Sequence, residues 1–195
     1  MKRNTHFLSR LRYLPVWLSR AGHCKGFGIQ SPWAFNFVCG VVYGHVDDDA
    51  RTELLGDFPR ASFLYEKLGL LYLRLATSLR PAFYYSNSVL GDLADASVRQ
   101  GCPTASPTTF PVPERPLSLA LIAPDTPWEQ VDSLMGCVDR DSIFIVEDIR
   151  RKRQARQLWK RLLLDERVNV TFDLYFCGIV TFNPRLYKRN YIVCF

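Results

Sequence analysis

Leu117-Ser118-Leu119-Ala120-Leu121-Ile122-Ala123-Pro124-Asp125 and Ser142-Ile143-Phe144-Ile145-Val146-Glu147-Asp148 decide the fold. Each is a short apolar run without polar alternation that stops at a carboxylate, which is how a strand buried on both faces reads. Between them, residues 128–138 carry a helical pattern. After them, residues 150–164 place Ala155, Leu158, Trp159, Leu162 and Leu163 at i, i+3, i+4, i+7 and i+8 spacing, the apolar stripe of a helix lying on a sheet. Strand, helix, strand, helix with buried strands predicts an α/β sheet with parallel members.

Working outward, Val168, Val170, Phe172 and Leu174 alternate with polar residues. Residues 178–182 and 191–195 complete an antiparallel tail. Upstream, Leu64, Leu68, Leu71, Leu75 and Leu79 mark a long helix closed by Pro81, residues 82–85 are β-prone, and residues 89–99 fit a helix. The stretch 101–116 holds five prolines and admits no long helix. Ligands of such sheets sit beyond the carboxyl ends of the strands. Three strand ends are therefore candidate site elements: Ser86-Asn87, Pro124-Asp125 and Glu147-Asp148. The alternative role for each is a loop or helix cap.

The 195-residue chain carries a formal charge of +6, and all of it belongs to the first 46 residues, where six basic side chains face no acid. We read residues 1–58 as a basic helical arm with a linker and 59–195 as the sheet domain. In the arm, Phe7, Leu8, Leu11, Leu14 and Leu18 recur at helical spacing with a bend expected at Pro15, and Ser31-Pro32 opens a second helix with Phe35, Val38, Cys39 and Val42 on its apolar face. The apolar side chains Phe7, Leu11, Leu18, Phe35 and Val38 are expected to dock on the body. Asp47, Asp48 and Asp49 fall in the apparent linker; successive carboxylates point in different directions and do not make a calcium loop. The six cysteines lack a CxxC pair and read as reduced, and the three histidines all lie in the arm, which argues against a Ser-His-Asp, Cys-His or His-ligated zinc site in the body. No apolar run reaches the ~20 residues of a membrane-spanning helix.

Lys25-Gly-Phe-Gly-Ile-Gln-Ser-Pro-Trp-Ala-Phe35, Asp141-Ser-Ile-Phe-Ile-Val-Glu-Asp-Ile149 and Val170-Thr-Phe-Asp-Leu-Tyr-Phe-Cys-Gly-Ile179, in this order, resemble a group of bacterial class I S-adenosylmethionine-dependent methyltransferases. The first block is the most specific, and Gln30 stands where that pattern usually has His. The resemblance implies a Rossmann-like sheet, a bacterial cytoplasm and a methyl donor lying over the first strand. It assigns cofactor contacts to Tyr85, Ser86, Asn87 and Gly91 and catalytic positions to Asp125, Glu147 and Asp148.

Much of what that chemistry requires is replaced. Tyr85 and Asn87 stand at the positions resembling the acid and first glycine of the cofactor turn, and a Tyr there is expected to crowd the site. No carboxylate lies between Asp95 and Glu114 to bind ribose, and Ala123 stands where an aspartate is usual. Residues 87–116 number 30, whereas a full fold inserts roughly 67 there. The expected fold is thus a reduced Rossmann-like sheet, short by one or two strands on that side. Two functions follow: a methyltransferase-like binding or scaffold module that is not catalytic, with no cofactor and a small-molecule or protein partner, or an active enzyme using S-adenosylmethionine on a small molecule. Arg150, Arg151, Lys152, Arg153, Arg156, Lys160 and Arg161 raise a third, nucleic-acid binding, although they lie opposite the apolar stripe as a solvated face would.

Overall fold

The computed structural model describes residues 13–111 and 116–195. Phe7, Leu8 and Leu11 of the arm's first stripe lie outside them. Seven strands form a single sheet in the order β2-β1-β3-β4-β6-β5-β7, with β1 Phe83–Ser86, β2 Ser106–Thr108, β3 Leu119–Ile122, β4 Ile143–Glu147, β5 Val170–Asp173, β6 Cys177–Thr181 and β7 Arg189–Ile192. β2, β1, β3 and β4 are parallel, and β6 runs antiparallel to both β4 and β5. The last strand, β7, differs from the expected antiparallel tail: it pairs parallel with β5, outside the hairpin.

The sheet is covered on both faces, and the two cores divide the helices between them. On one face lie α1 Leu14–Ser19, α2 Pro32–Phe37 with its π-helical continuation Val38–Val42, α3 Asp48–Gly56, α4 Phe63–Leu79 and α5 Asp92–Gly101. On the other lie α6 Trp128–Met135 and α7 Arg153–Leu164. This is a reduced Rossmann-like architecture with an N-terminal helical arm. The described residues between β1 and β3 form one helix and one three-residue strand, as the short interval requires. β2 was hidden by its own Pro107, which is tolerated because β2 is an edge strand.

Ser62 caps α4 by accepting from the Tyr65 amide at 3.3 Å, and the helix ends where Arg80 turns left-handed before Pro81. Leu64, Leu68, Leu71 and Leu75 are buried as their spacing predicts, and so are Tyr72, Leu73 and Ala76, because α5 and the arm cover the helix from a second side.

The arm departs from its expected form in three places. Pro15 sits in the first turn of α1, where its missing N–H is harmless, so it starts a helix instead of bending one. Leu18 and Phe35 are exposed, and the docked side chains are Ala34, Val38 and Val42. The apparent linker contains α3, whose first turn holds Asp48 and Asp49; the acids sit at the helix end that favours negative charge. The glycines of the Lys25–Phe35 block have a local structural use: Gly26 and Gly28 take φ of +78° and +82°, and Ser31 caps α2 through the Ala34 amide.

The arm is fastened to the far edge of the sheet. Arg20, buried, donates to the Asp173 carboxylate at 2.7 Å and to the carbonyls of Asp173 and Val193 at 2.6 and 3.1 Å. Arg74 of α4 donates to the Val41 and Val42 carbonyls at 2.8 and 2.9 Å, closing the open end of the π turn. Phe37, Phe172 and Tyr191 stack in sequence from α2 across β5 to β7.

Candidate functional site

β1 and β3 are neighbours, but the chain leaves β1 toward β2 and returns to β3 on the other side, so the crevice at their carboxyl ends is the topological switch point where such sheets bind ligands. Asn87 occupies it. Its amide N–H donates to the Leu121 carbonyl at 3.1 Å, its side-chain oxygen accepts from the Ala123 amide at 2.8 Å, and its side-chain nitrogen donates to Thr126 Oγ at 2.9 Å. Thr126 in turn donates to the Ala123 carbonyl at 2.9 Å. A single side chain thereby bonds the end of β1 to the end of β3.

Glu147, at the end of β4, forms the second knot. Its carboxylate accepts from the Tyr72 hydroxyl of α4 at 2.5 Å, from the Ser88 hydroxyl, and from the Val89 amide at 2.9 Å. The loop after β1 is thus folded onto an internal carboxylate. Glu147 is 1% exposed, and burial pushes its pKa above the ordinary value, against the lowering effect of Ser88, Tyr72 and Val89. Burial, followed by the charge of Glu147, drives the Tyr72 phenol well above its usual range.

The remaining expected site residues do not converge. Tyr85 faces the opposite core, buried beneath α6 with its hydroxyl accepting from Gln130 at 2.6 Å, so it fills a wall and does not crowd the crevice. Ser86 accepts weakly from the Ser88 amide. Gly91 caps α5 with φ +54° and ψ −129°, a conformation only glycine enters easily, although a Cβ there would meet nothing within 4 Å. Asp148 is left-handed at φ +54° and pairs with Arg151 at 3.2 Å, and Asp125 is exposed. Among the described residues, no group of three or more His, Cys, Asp or Glu could hold a metal ion.

In the turn before α7, Arg150 is bonded to Asp173 and Arg151 to Asp148, and on α7 Arg161 lies 4.4 Å over the Trp128 ring. Lys152, Arg153, Arg156 and Lys160 are exposed. No described helix is long and apolar enough to cross a membrane.

Sequence reasoning missed Tyr72, Ser88 and Thr126. Tyr72 follows Leu68 by four residues and precedes Leu75 by three on the buried stripe of α4, so a phenol inside a leucine face was the available signal for a buried polar partner.

The fold and the crevice together define an open, Rossmann-like α/β protein. No protein-family model matches the chain, and no curated protein does. Among solved structures it is similar to that of cofactor-bound Rv0187 from MTB, with a TM-score of 0.50 and 12% identity, over 77% of this chain and 96% of that one. At that identity the likeness is one of fold.

Proposed function

We propose that the protein is a binding or scaffold module on a methyltransferase-like fold, with a degenerate S-adenosylmethionine site and no methyl transfer of its own. The Asn87 brace carries this reading. A cofactor lying over the end of β1 needs close approach to backbone and free hydrogen-bonding groups. Asn87 spends its side chain on β3, Glu147 spends its carboxylate on Tyr72 and the loop after β1, and no acid between Asp95 and Glu114 is available for ribose. Breaking such bonds to admit a ligand leaves polar groups to be satisfied again, at ~1 to 3 kcal/mol each.

A second reading, an active methyltransferase on a small molecule, draws support from the likeness to a cofactor-bound protein. It requires the loop after β1 to leave Glu147. Calorimetry of the full chain with S-adenosylmethionine and its demethylated product separates the two. The expected result is no saturable binding below roughly 10 μM, two lost contacts having moved a typical micromolar affinity by about one to four decades. A low-micromolar dissociation constant that is weakened by Gly91→Ala would establish the enzyme reading in its place.

A further inference from the structure

α1, the first two turns of α4 and the rings of Phe176 and Phe195 line a half-open cavity of about 580 Å3, within the usual range for small-molecule sites. It shares no lining residue with the Asn87 and Glu147 knots. Its walls are Trp17, Phe63, Leu70, Phe176 and Phe195, with Tyr13 set edge-on against Phe176 at 5.2 Å. Three charged residues line it: Arg51, Glu66 and Lys67. They sum to one positive charge.

Lys67 carries the argument. Other shielded cations have polar partners: the buried Arg20 has the Asp173 carboxylate, and Arg74, half-buried like Lys67, has two backbone carbonyls. The Lys67 ammonium instead lies 4.3 Å over the Phe195 ring, and no carboxylate among the described residues is within ion-pair distance of it. Burial lowers its pKa, the sign of an ammonium short of compensation. A desolvated cation on the wall of an apolar cavity loses hydration that a ring only partly returns. An anion with an apolar body would supply both missing interactions at once.

We propose that this cavity binds a small amphipathic monoanion, an aliphatic or aromatic carboxylate whose apolar body lies against Trp17, Phe63 and Phe176 and whose carboxylate pairs with Lys67. Glu66 selects against dianions. The proposal gives the binding module a ligand class and does not rest on the fate of the cofactor crevice, since the two sites use different residues.

The test titrates the full chain with octanoate, 1-octanol and octylamine, followed by calorimetry and by tryptophan fluorescence, for which Trp17 is the reporter. Octanoate is expected to bind saturably below about 1 mM and at least about tenfold more tightly than octanol, the value of one charge-assisted contact. Lys67→Met should erase that preference while leaving octanol binding in place, and Lys67→Arg should retain it. Equal binding of octanoate and octanol by the wild-type protein, a preference for octylamine, a preference that survives Lys67→Met, or no saturable binding below about 1 mM would each overturn the proposal. The wild-type comparison decides alone should Lys67→Met fail to fold.

Discussion

Glu147 is a carboxylate whose burial opposes ionisation while three donors favour it, and burial prevails. The folded protein therefore holds this proton more tightly than the unfolded chain, whose group titrates near 4.5. From that pH upward, the folded state binds more protons than the unfolded one, so the Glu147 contribution to stability falls as pH rises until the folded value has been passed. Urea unfolding from pH 4.5 to 8 should show this fall in the wild-type protein and its absence in Glu147→Gln; superimposable profiles would contradict the assignment. Asp173 is held by ion pairs instead. It is buried between two guanidinium groups, of which Arg20 is buried and Arg150 half exposed. Asp173→Asn leaves the buried Arg20 cation without a counter-charge and is expected to cost roughly 3 kcal/mol, near the lower end for breaking a buried pair. Arg150→Ala, on the solvent side, should cost under about 1 kcal/mol. Similar urea midpoints for the two variants would show that Arg20 does not depend on this carboxylate.

At the scale of elements, the packing of α7 on the sheet rests on an absent side chain. A Cβ on Gly178 of β6 would lie 2.3 Å from the Trp159 ring, whose indole is 3% exposed and cannot retreat. Gly178→Ala is expected to destabilise by at least about 1 to 3 kcal/mol through overpacking. Trp159→Leu should relieve much of this in a double-mutant cycle, with a coupling energy of about 1 kcal/mol or more; simple additivity would mean that the helix shifts freely. Elements such as α7 were legible because their evidence is local: the i, i+3, i+4 stripe of α7 and the unbroken apolar runs of β3 and β4 need no partner to be read. β2 and α3 were not. Pro107 suppresses the strand signal, and the pairing is imposed by β1; the aspartates of α3 imitate a linker because acids favoured at a helix start are also favoured in loops. The candidate site was legible only as strand ends. Asn87 with Ala123, Glu147 with Tyr72, and Arg20 with Asp173 are joined by the chain's topology across 36, 75 and 153 residues, and no local pattern encodes such pairs.

For the molecule as a whole, the arm decides whether there is one cooperative unit or two. Ala34, Val38 and Val42 of the arm, with Leu54 of α3, belong to the same apolar core as Leu71, Leu75 and Phe172. Full burial of a Val or Leu side chain is worth ~1.5 to 3 kcal/mol, so Val38, Val42 and Leu54 together supply roughly 5 kcal/mol even at the low end. The polar fastenings of Arg20, Arg74 and the Tyr43 hydroxyl, which donates to the Cys194 carbonyl, add to it. A domain of this size has a total stability of ~5 to 15 kcal/mol, so loss of the arm should remove a large fraction of it. Exposing the faces of α4 and β5 would also open the apolar surface that the arm covers. The arm and the sheet are therefore expected to unfold together. Limited trypsin digestion of the full chain should find Arg20 and Lys25 resistant under native conditions despite their sequence position. Their cleavage should become detectable at the same urea concentration as the loss of sheet signal by circular dichroism. Cleavage at Arg20 or Lys25 in the absence of urea that leaves a fragment of residues 60–195 with an unchanged midpoint would instead make the arm a separate attachment and remove the basis for a single core.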